Sequence, residues 1–244
     1  MTKRAQIGVL TAPGSNRDGE AARAITMAGA DAHIVAFDGS LDRFDGVVLP
    51  GGFSYGDALG AGMRWALEVG GAVRAVAVSG RPVLGICNGF QVLVRSGLLP
   101  GGTVSPGGTE ARAVTLTAND HGRFVCRWVT LAVEPDNRAG LDRLLPGRLA
   151  CPVAHGEGRL AVRDAATMAR LEAGGHVLFR YVEGTNPNGS VGDIAGLCDT
   201  SGLVWGLMPH PEDHLTGTQN PFPHRPGREG LALFEAFVSR ARAN

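Results

Sequence analysis

The sequence predicts a three-layer α/β protein: a mostly parallel central sheet flanked by helices, with a smaller mixed or antiparallel sheet in the second half. Three observations carry this expectation. The chain opens on alternating strand, helix and strand signals, the mark of a βαβ unit and therefore of parallel pairing. Short apolar runs then end at glycine-rich turns, as strands buried on both faces do. From about Val114 the texture changes to shorter strands separated by turns.

Residues 5–10 read as a strand, residues 18–28 as a helix closed by Gly29, and residues 31–37 as a second strand. Residues 45–49 form a third strand. The loop Pro50-Gly51-Gly52-Phe53-Ser54-Tyr55-Gly56-Asp57 follows it, and a helix is expected over residues 63–78. Residues 81–86 are another apolar strand, after which residues 91–94 can continue as a helix. Beyond Val114, strands are expected at residues 124–133, 158–162, 177–182 and 194–197. Asp199-Thr200-Ser201-Gly202 reads as the turn of a hairpin leading into an apolar strand over residues 203–208. Residues 230–243 are apolar at helical spacing, with Leu231, Phe234, Phe237 and Val238 on one face of a closing C-terminal helix. Neither repeats nor a low-complexity linker interrupt the chain, and residues 1–244 are expected to form a single domain.

The chain has 244 residues, 44% of them hydrophobic, and 23 basic residues balance 23 acidic ones. Arginines are scattered rather than gathered in a stripe, which argues against a nucleic-acid partner. The apolar run at residues 5–10 is too short for a signal peptide and no later run approaches a membrane span, so a cytoplasmic location is expected. Cys87, Cys126, Cys151 and Cys198 lie far apart without metal-ligand spacing, which points to reduced thiols and to neither zinc nor a disulfide framework. Lys3 is the only lysine. A Walker A loop and an interior Schiff-base lysine are both excluded, so any ATP-driven step through a P-loop belongs to another protein.

Two segments carry chemistry. Gly85-Ile86-Cys87-Asn88-Gly89-Phe90-Gln91 places a cysteine on a strand-to-helix turn between two glycines, the spacing of a nucleophile elbow. The start of a helix favours thiolate over thiol, and its unpaired N–H groups can hold an oxyanion. Met208-Pro209-His210-Pro211-Glu212 follows a buried strand; with Pro211 holding the chain extended, His210 and Glu212 at i and i+2 fall on one side of the backbone. Cys87, His210 and Glu212 then read as nucleophile, base and orienting acid. Gly51-Gly52, after the third strand of a parallel sheet, can present backbone N–H groups beside Cys87.

Together, the Gly85-to-Gln91 elbow, the Pro50-Gly51-Gly52-Phe53 loop and Pro209-His210-Pro211-Glu212 resemble a class I glutamine amidotransferase domain, whose flavodoxin-like fold agrees with the reading above. Further segments narrow the resemblance. Pro13-Gly14-Ser15-Asn16-Arg17-Asp18, Ser54-Tyr55-Gly56-Asp57, Pro152-Val153-Ala154-His155-Gly156-Glu157-Gly158, Asn186-Pro187-Asn188-Gly189-Ser190 and Asp193-Ile194-Ala195-Gly196 are similar to the family of glutaminase subunits of phosphoribosylformylglycinamidine synthase, which serve purine biosynthesis. The resemblance implies that Cys87 attacks the carboxamide of L-glutamine, that backbone N–H groups at Gly52 and Asn88 hold the oxyanion, and that Phe53 and Gln91 neighbour the substrate. It also implies that ammonia passes to a large ATP-dependent synthetase subunit, assembled with a small bridging subunit. ATP and magnesium are expected on that partner, with no cofactor and no metal in this chain.

Two positions depart from the family pattern: relatives often carry Cys where this chain has Arg17, and Arg where it has Asp213. Residues 214–226 match no motif and read as a loop. The loops at residues 155–158 and 186–190 offer no chemistry by spacing; for the second, turn formation and contact with glutamine or a partner stay open. Two other functions remain alternatives on the sequence alone: an amidotransferase serving a different synthetase, and a flavodoxin-like protein whose Cys87 is a redox or stress sensor.

Overall fold

The computed structural model describes residues 3–57, 59–101, 113–182, 184–221 and 227–243. In chain order its strands are β1 (Gln6–Thr11), β2 (Asp31–Ala36), β3 (Gly46–Leu49), β4 (Val83–Ile86), β5 (Val114–Thr117), β6 (Val125–Val133), β7 (Arg148–His155), β8 (Arg159–Val162), β9 (Val177–Tyr181), β10 (Ile194–Cys198) and β11 (Val204–Leu207). The helices are α1 (Asp18–Met27), α2 (Met63–Val78), α3 (Asn88–Arg95), α4 (Ala165–Ala173) and α5 (Glu229–Arg242).

Among the described residues one sheet of nine strands runs β2-β1-β3-β4-β11-β10-β9-β6-β7. Its first five strands pair in parallel, as the βαβ opening predicts. From β11 onward every pairing is antiparallel, beginning with the hairpin turned at Asp199-Thr200-Ser201-Gly202. The short strands of the second half therefore mostly extend the central sheet, while β5 and β8 pair separately as an antiparallel ribbon. Central position explains the continuous apolar runs: every residue of β3, β4 and β11 is buried. β2, on the edge, is partly exposed along its length.

Helix α5 buries Leu231, Phe234, Phe237 and Val238, the face its spacing defines, and Phe237 meets Trp205 of β11 edge-on, with ring centroids 5.9 Å apart. Three elements have no counterpart in the sequence reading: β5, β7 and α4. β7 contains Pro152, which argues against a strand, but β7 lies on the sheet edge, where a missing N–H is tolerated. α4 is capped by Asp164, whose carboxylate accepts the Thr167 N–H at 2.7 Å ahead of helix-forming alanines. Of the expected loop over residues 214–226, residues 222–226 lie outside the described residues. The remainder holds a short turn at Gly217–Gln219 with a capping box between Thr216 and Gln219.

Candidate active site

β4 ends where α3 begins, with Cys87 alone between them at φ 51°, ψ −104°. A non-glycine residue at positive φ is strained, and such strain persists only where surrounding packing enforces it. Here the enforcement is close approach. A Cβ on Gly89 would lie 1.9 Å from the Leu49 carbonyl oxygen, and one on Gly85 would lie 2.7 Å from the Gly89 backbone. Glycine at both positions lets the first turn of α3 press against the ends of β3 and β4, which turns the chain sharply at Cys87, a buried residue that lines the cavity. α3 thus starts at Asn88, three residues earlier than the sequence spacing suggests, and the Asn88 N–H has no acceptor within its own helix. The Cys87 thiol faces the Ala154 carbonyl of β7, 3.7 Å away.

His210 and Glu212 meet as expected: Nδ1 of the imidazole lies 2.7 Å from Oε1 of the carboxylate, and both side chains are buried. The cause differs from the extended geometry predicted for Pro211. Residues Pro211–Asp213 form a single 3₁₀ turn, closed by the Asp213 N–H on the His210 carbonyl at 3.2 Å, and this turn folds the carboxylate back onto the ring. The His210 N–H donates to the Pro152 carbonyl at 2.8 Å. β7, absent from the sequence reading, thereby touches both Cys87 and His210. With Nδ1 engaged by Glu212, Nε2 is the ring nitrogen that can exchange a proton; it is buried without a hydrogen-bond partner among the described residues. Burial opposes protonation of this ring, but the facing Glu212 carboxylate and Cys87 sulfur outweigh it and hold the His210 pKa well above the ordinary value.

A cavity of about 170 Å³ opens above Cys87, lined by Gly52, Phe53 and Gln91 from the predicted set. Gly51 has no room for a side chain, because a Cβ there would lie 2.7 Å from Cε1 of His210. The Asn88 side chain contributes differently from its backbone. Its Oδ1 accepts the Ser54 N–H at 3.2 Å and its amide donates to Oε1 of Gln91 at 2.9 Å, tying the glycine loop to the elbow. The Gln91 amide in turn donates to the Glu157 carbonyl at 2.7 Å, so this side chain shapes the wall with its polar groups already engaged. Phe53 and Phe124 flank the mouth with ring centroids 6.3 Å apart.

Sequence reasoning left Asp57, Phe124, His155 and Glu157 without a role, and all four line the cavity. Asp57 Oδ1 is buried without a partner among the described residues, and burial together with the nearby Glu157 carboxylate raises its pKa. His155 is held by Asn119 Oδ1 at 3.1 Å, while Asn188 ties the Gly158 carbonyl and Ser190 into the same buried network. The loop at residues 186–190 is therefore a buttress behind the cavity wall. Its signal in the sequence was a polar, turn-forming run that nonetheless buries Asn188 and Ser190. Burial and the facing His210 push the His155 pKa down to about 4, so the ring is neutral at pH 7.

Residues 4–239 match the model of the CobB/CobQ-like glutamine amidotransferase domain family. The phosphoribosylformylglycinamidine synthase subunit PurQ of Treponema denticola is 43% identical over 92% of this chain and 94% of that protein, and that of Corynebacterium jeikeium is 44% identical over 98% of each. The chain belongs to the PurQ family. A chain in the solved structure of PurLQS from Thermotoga maritima superposes with a TM-score of 0.78 at 32% identity, covering 97% of this chain and 98% of that one. Arg17 and Asp213, the two residues at which the sequence reading expects other side chains, meet in the structure: the guanidinium grips the carboxylate at two points, 3.0 and 3.1 Å. Among the described residues, no group of His, Cys, Asp and Glu side chains is placed to hold a metal ion, and no helix is long and apolar enough to cross a membrane.

Proposed function

We propose that this chain is the glutaminase subunit of a phosphoribosylformylglycinamidine synthase, acting as one glutamine amidotransferase domain through Cys87, His210 and Glu212. The single observation that carries the chemistry is the elbow thiol set against an imidazole whose Nδ1–H is fixed by a buried carboxylate. With its proton held on Nε2 of His210, the Cys87 sulfur attacks the side-chain carbonyl carbon of glutamine. Negative charge gathers on the carbonyl oxygen, beside the backbone N–H groups of Gly52 and Asn88. His210 returns the proton to the departing nitrogen, ammonia leaves, and a glutamyl thioester remains on Cys87. Water, deprotonated by His210, then releases glutamate and restores the thiol.

Recognition of free glutamine fits the same cavity. Asp57 and Glu157 supply carboxylate charge for the α-ammonium group, while the exposed faces of Phe53 and Phe124 cover the aliphatic stem. Ammonia then serves a separate ATP-dependent synthetase that converts formylglycinamide ribonucleotide to formylglycinamidine ribonucleotide, with a small third subunit in the assembly. ATP and magnesium act on the synthetase, and the protein works in the cytoplasm. The test is to mix the chain with such a synthetase, its acceptor, ATP and glutamine. Glutamate release that disappears in Cys87→Ala supports the reading; no release, or release untouched by Cys87→Ala, overturns it.

A further inference from the structure

The segment Pro13-Gly14-Ser15-Asn16-Arg17-Asp18 after β1 carries no reacting group, yet it grips both loops that flank the thiol. On one side it is sewn to the glycine loop by backbone bonds: Phe53 N–H to the Gly14 carbonyl at 2.9 Å, Tyr55 N–H to the Pro13 carbonyl at 2.6 Å, and a β-bridge between Ser15 and Gly52. The segment is also braced internally, because Ser15 N–H donates to the Ala12 carbonyl and the Ser15 hydroxyl accepts the Ala12 N–H.

On its other side stands Arg17. Its Nη1 lies 3.1 Å from Oδ1 of Asp213 and its Nη2 lies 3.0 Å from Oδ2, with Nη1 also 3.3 Å from Oε1 of Glu20. Asp213 is the residue whose N–H closes the turn on His210. The stem of Arg17 takes part as well: a Cβ at Gly51 would stand 3.4 Å from Arg17 Cγ as well as 2.7 Å from His210 Cε1, so stem and imidazole pack against the same glycine. Partly exposed ion pairs add little to stability, but a two-point guanidinium–carboxylate fork fixes orientation in a way that a point charge does not.

We propose that Arg17 is a positioning residue, which through its fork on Asp213 locks the turn at residues 210–213, and with it the imidazole, against the glycine loop and the thiol. The loop after β1 thus sets the geometry of a site to which it contributes no chemistry. The inference rests on reading Cys87 and His210 as nucleophile and base.

The experiment uses the full chain carrying Cys126→Ser, which removes the exposed thiol. In that background Arg17→Gln, Asp213→Asn, the double variant and Arg17→Lys are compared by the rate of Cys87 alkylation with iodoacetamide, followed by mass spectrometry. In complex with the synthetase, kcat and KM for glutamine are measured alongside. Each single variant is expected to lose about tenfold in alkylation rate and in kcat, with KM within about twofold, since a small misplacement of a reacting group costs rate more than binding. The double variant is expected to lose no more than either single, because both remove one interaction. Arg17→Lys, which keeps the charge but not the fork, should fall between. Unchanged alkylation and kcat, losses that multiply in the double variant, or a change confined to KM would each overturn the inference. Should the parent chain hydrolyse no glutamine in complex, the proposed function fails by itself, while the alkylation rates still decide the role of Arg17.

Discussion

In the proposed mechanism a thiol becomes a nucleophile through position: Cys87 sits at a strained φ, at the start of a helix, facing an imidazole anchored from behind. The anchor carries a prediction. Glu212→Gln can still accept the Nδ1–H of His210 but no longer supplies charge to the imidazolium, so kcat should fall about a hundredfold with the fold intact, read by steady-state glutaminase kinetics. Asp57, proposed to meet the α-ammonium group, would bear on binding rather than on the reacting bond. Asp57→Asn should raise KM for glutamine about tenfold with a smaller change in kcat, measured in the same assay. His155 bears on stability. Its folded pKa, about 4, lies below the 6.5 of an ordinary histidine, because the ring is buried and faces His210. Between those two values the unfolded chain holds more protons than the folded one. Stability is therefore complete above pH 6.5 and is lost as pH falls towards 4, by up to about 3 kcal/mol from this residue. Denaturant unfolding at pH 7 and pH 5 should show a smaller difference for His155→Gln than for the parent.

Helices and strands matter through where their ends meet. α3 can begin directly after Cys87 only because Gly89 admits the Leu49 carbonyl, so Gly89→Ala should destabilise by several kcal/mol, on the order of an overpacked core, and abolish activity. Thermal unfolding and expression of soluble protein read this out. The glycine-flanked elbow was legible in the sequence because its geometry is local: a strand run, a helix run and the small residues between them lie within a few positions. The same holds for the βαβ opening and for the apolar face of α5. β7 was not legible, since Pro152 argues against a strand and only its place at the sheet edge makes it acceptable. Yet β7 supplies the Pro152 carbonyl to His210 and the Ala154 carbonyl to Cys87, contacts set by long-range packing that no spacing rule records. The His210–Glu212 contact was legible, but its 3₁₀ turn was not.

Across the whole molecule, the parallel half of the sheet delivers β1, β3, β4 and β11 with their following loops on one rim, and the antiparallel half brings β7, His155 and Glu157 to close the cavity from the other side. The cavity mouth keeps Phe53 and Phe124 half exposed, at 44% and 54%, so the isolated chain leaves part of the site's apolar wall in water. Covering by a partner would exclude water and spare glutamine from idle hydrolysis. Glutamine hydrolysis by the chain alone should accordingly be slow and rise at least about tenfold when the synthetase assembly is added; equal rates would show that the partner does not complete the site. Arg17 and Asp213 illustrate why the assembled site exceeds what spacing can show, since two positions that each broke the family pattern prove to be one contact across the fold. The most direct measurement is mass spectrometry of the intact chain after exposure to an electrophilic glutamine analogue. One adduct is predicted, mapping to Cys87, blocked by glutamine and strongly slowed in His210→Ala; no adduct, or one carried by Cys126, would contradict the assignment of nucleophile and base together.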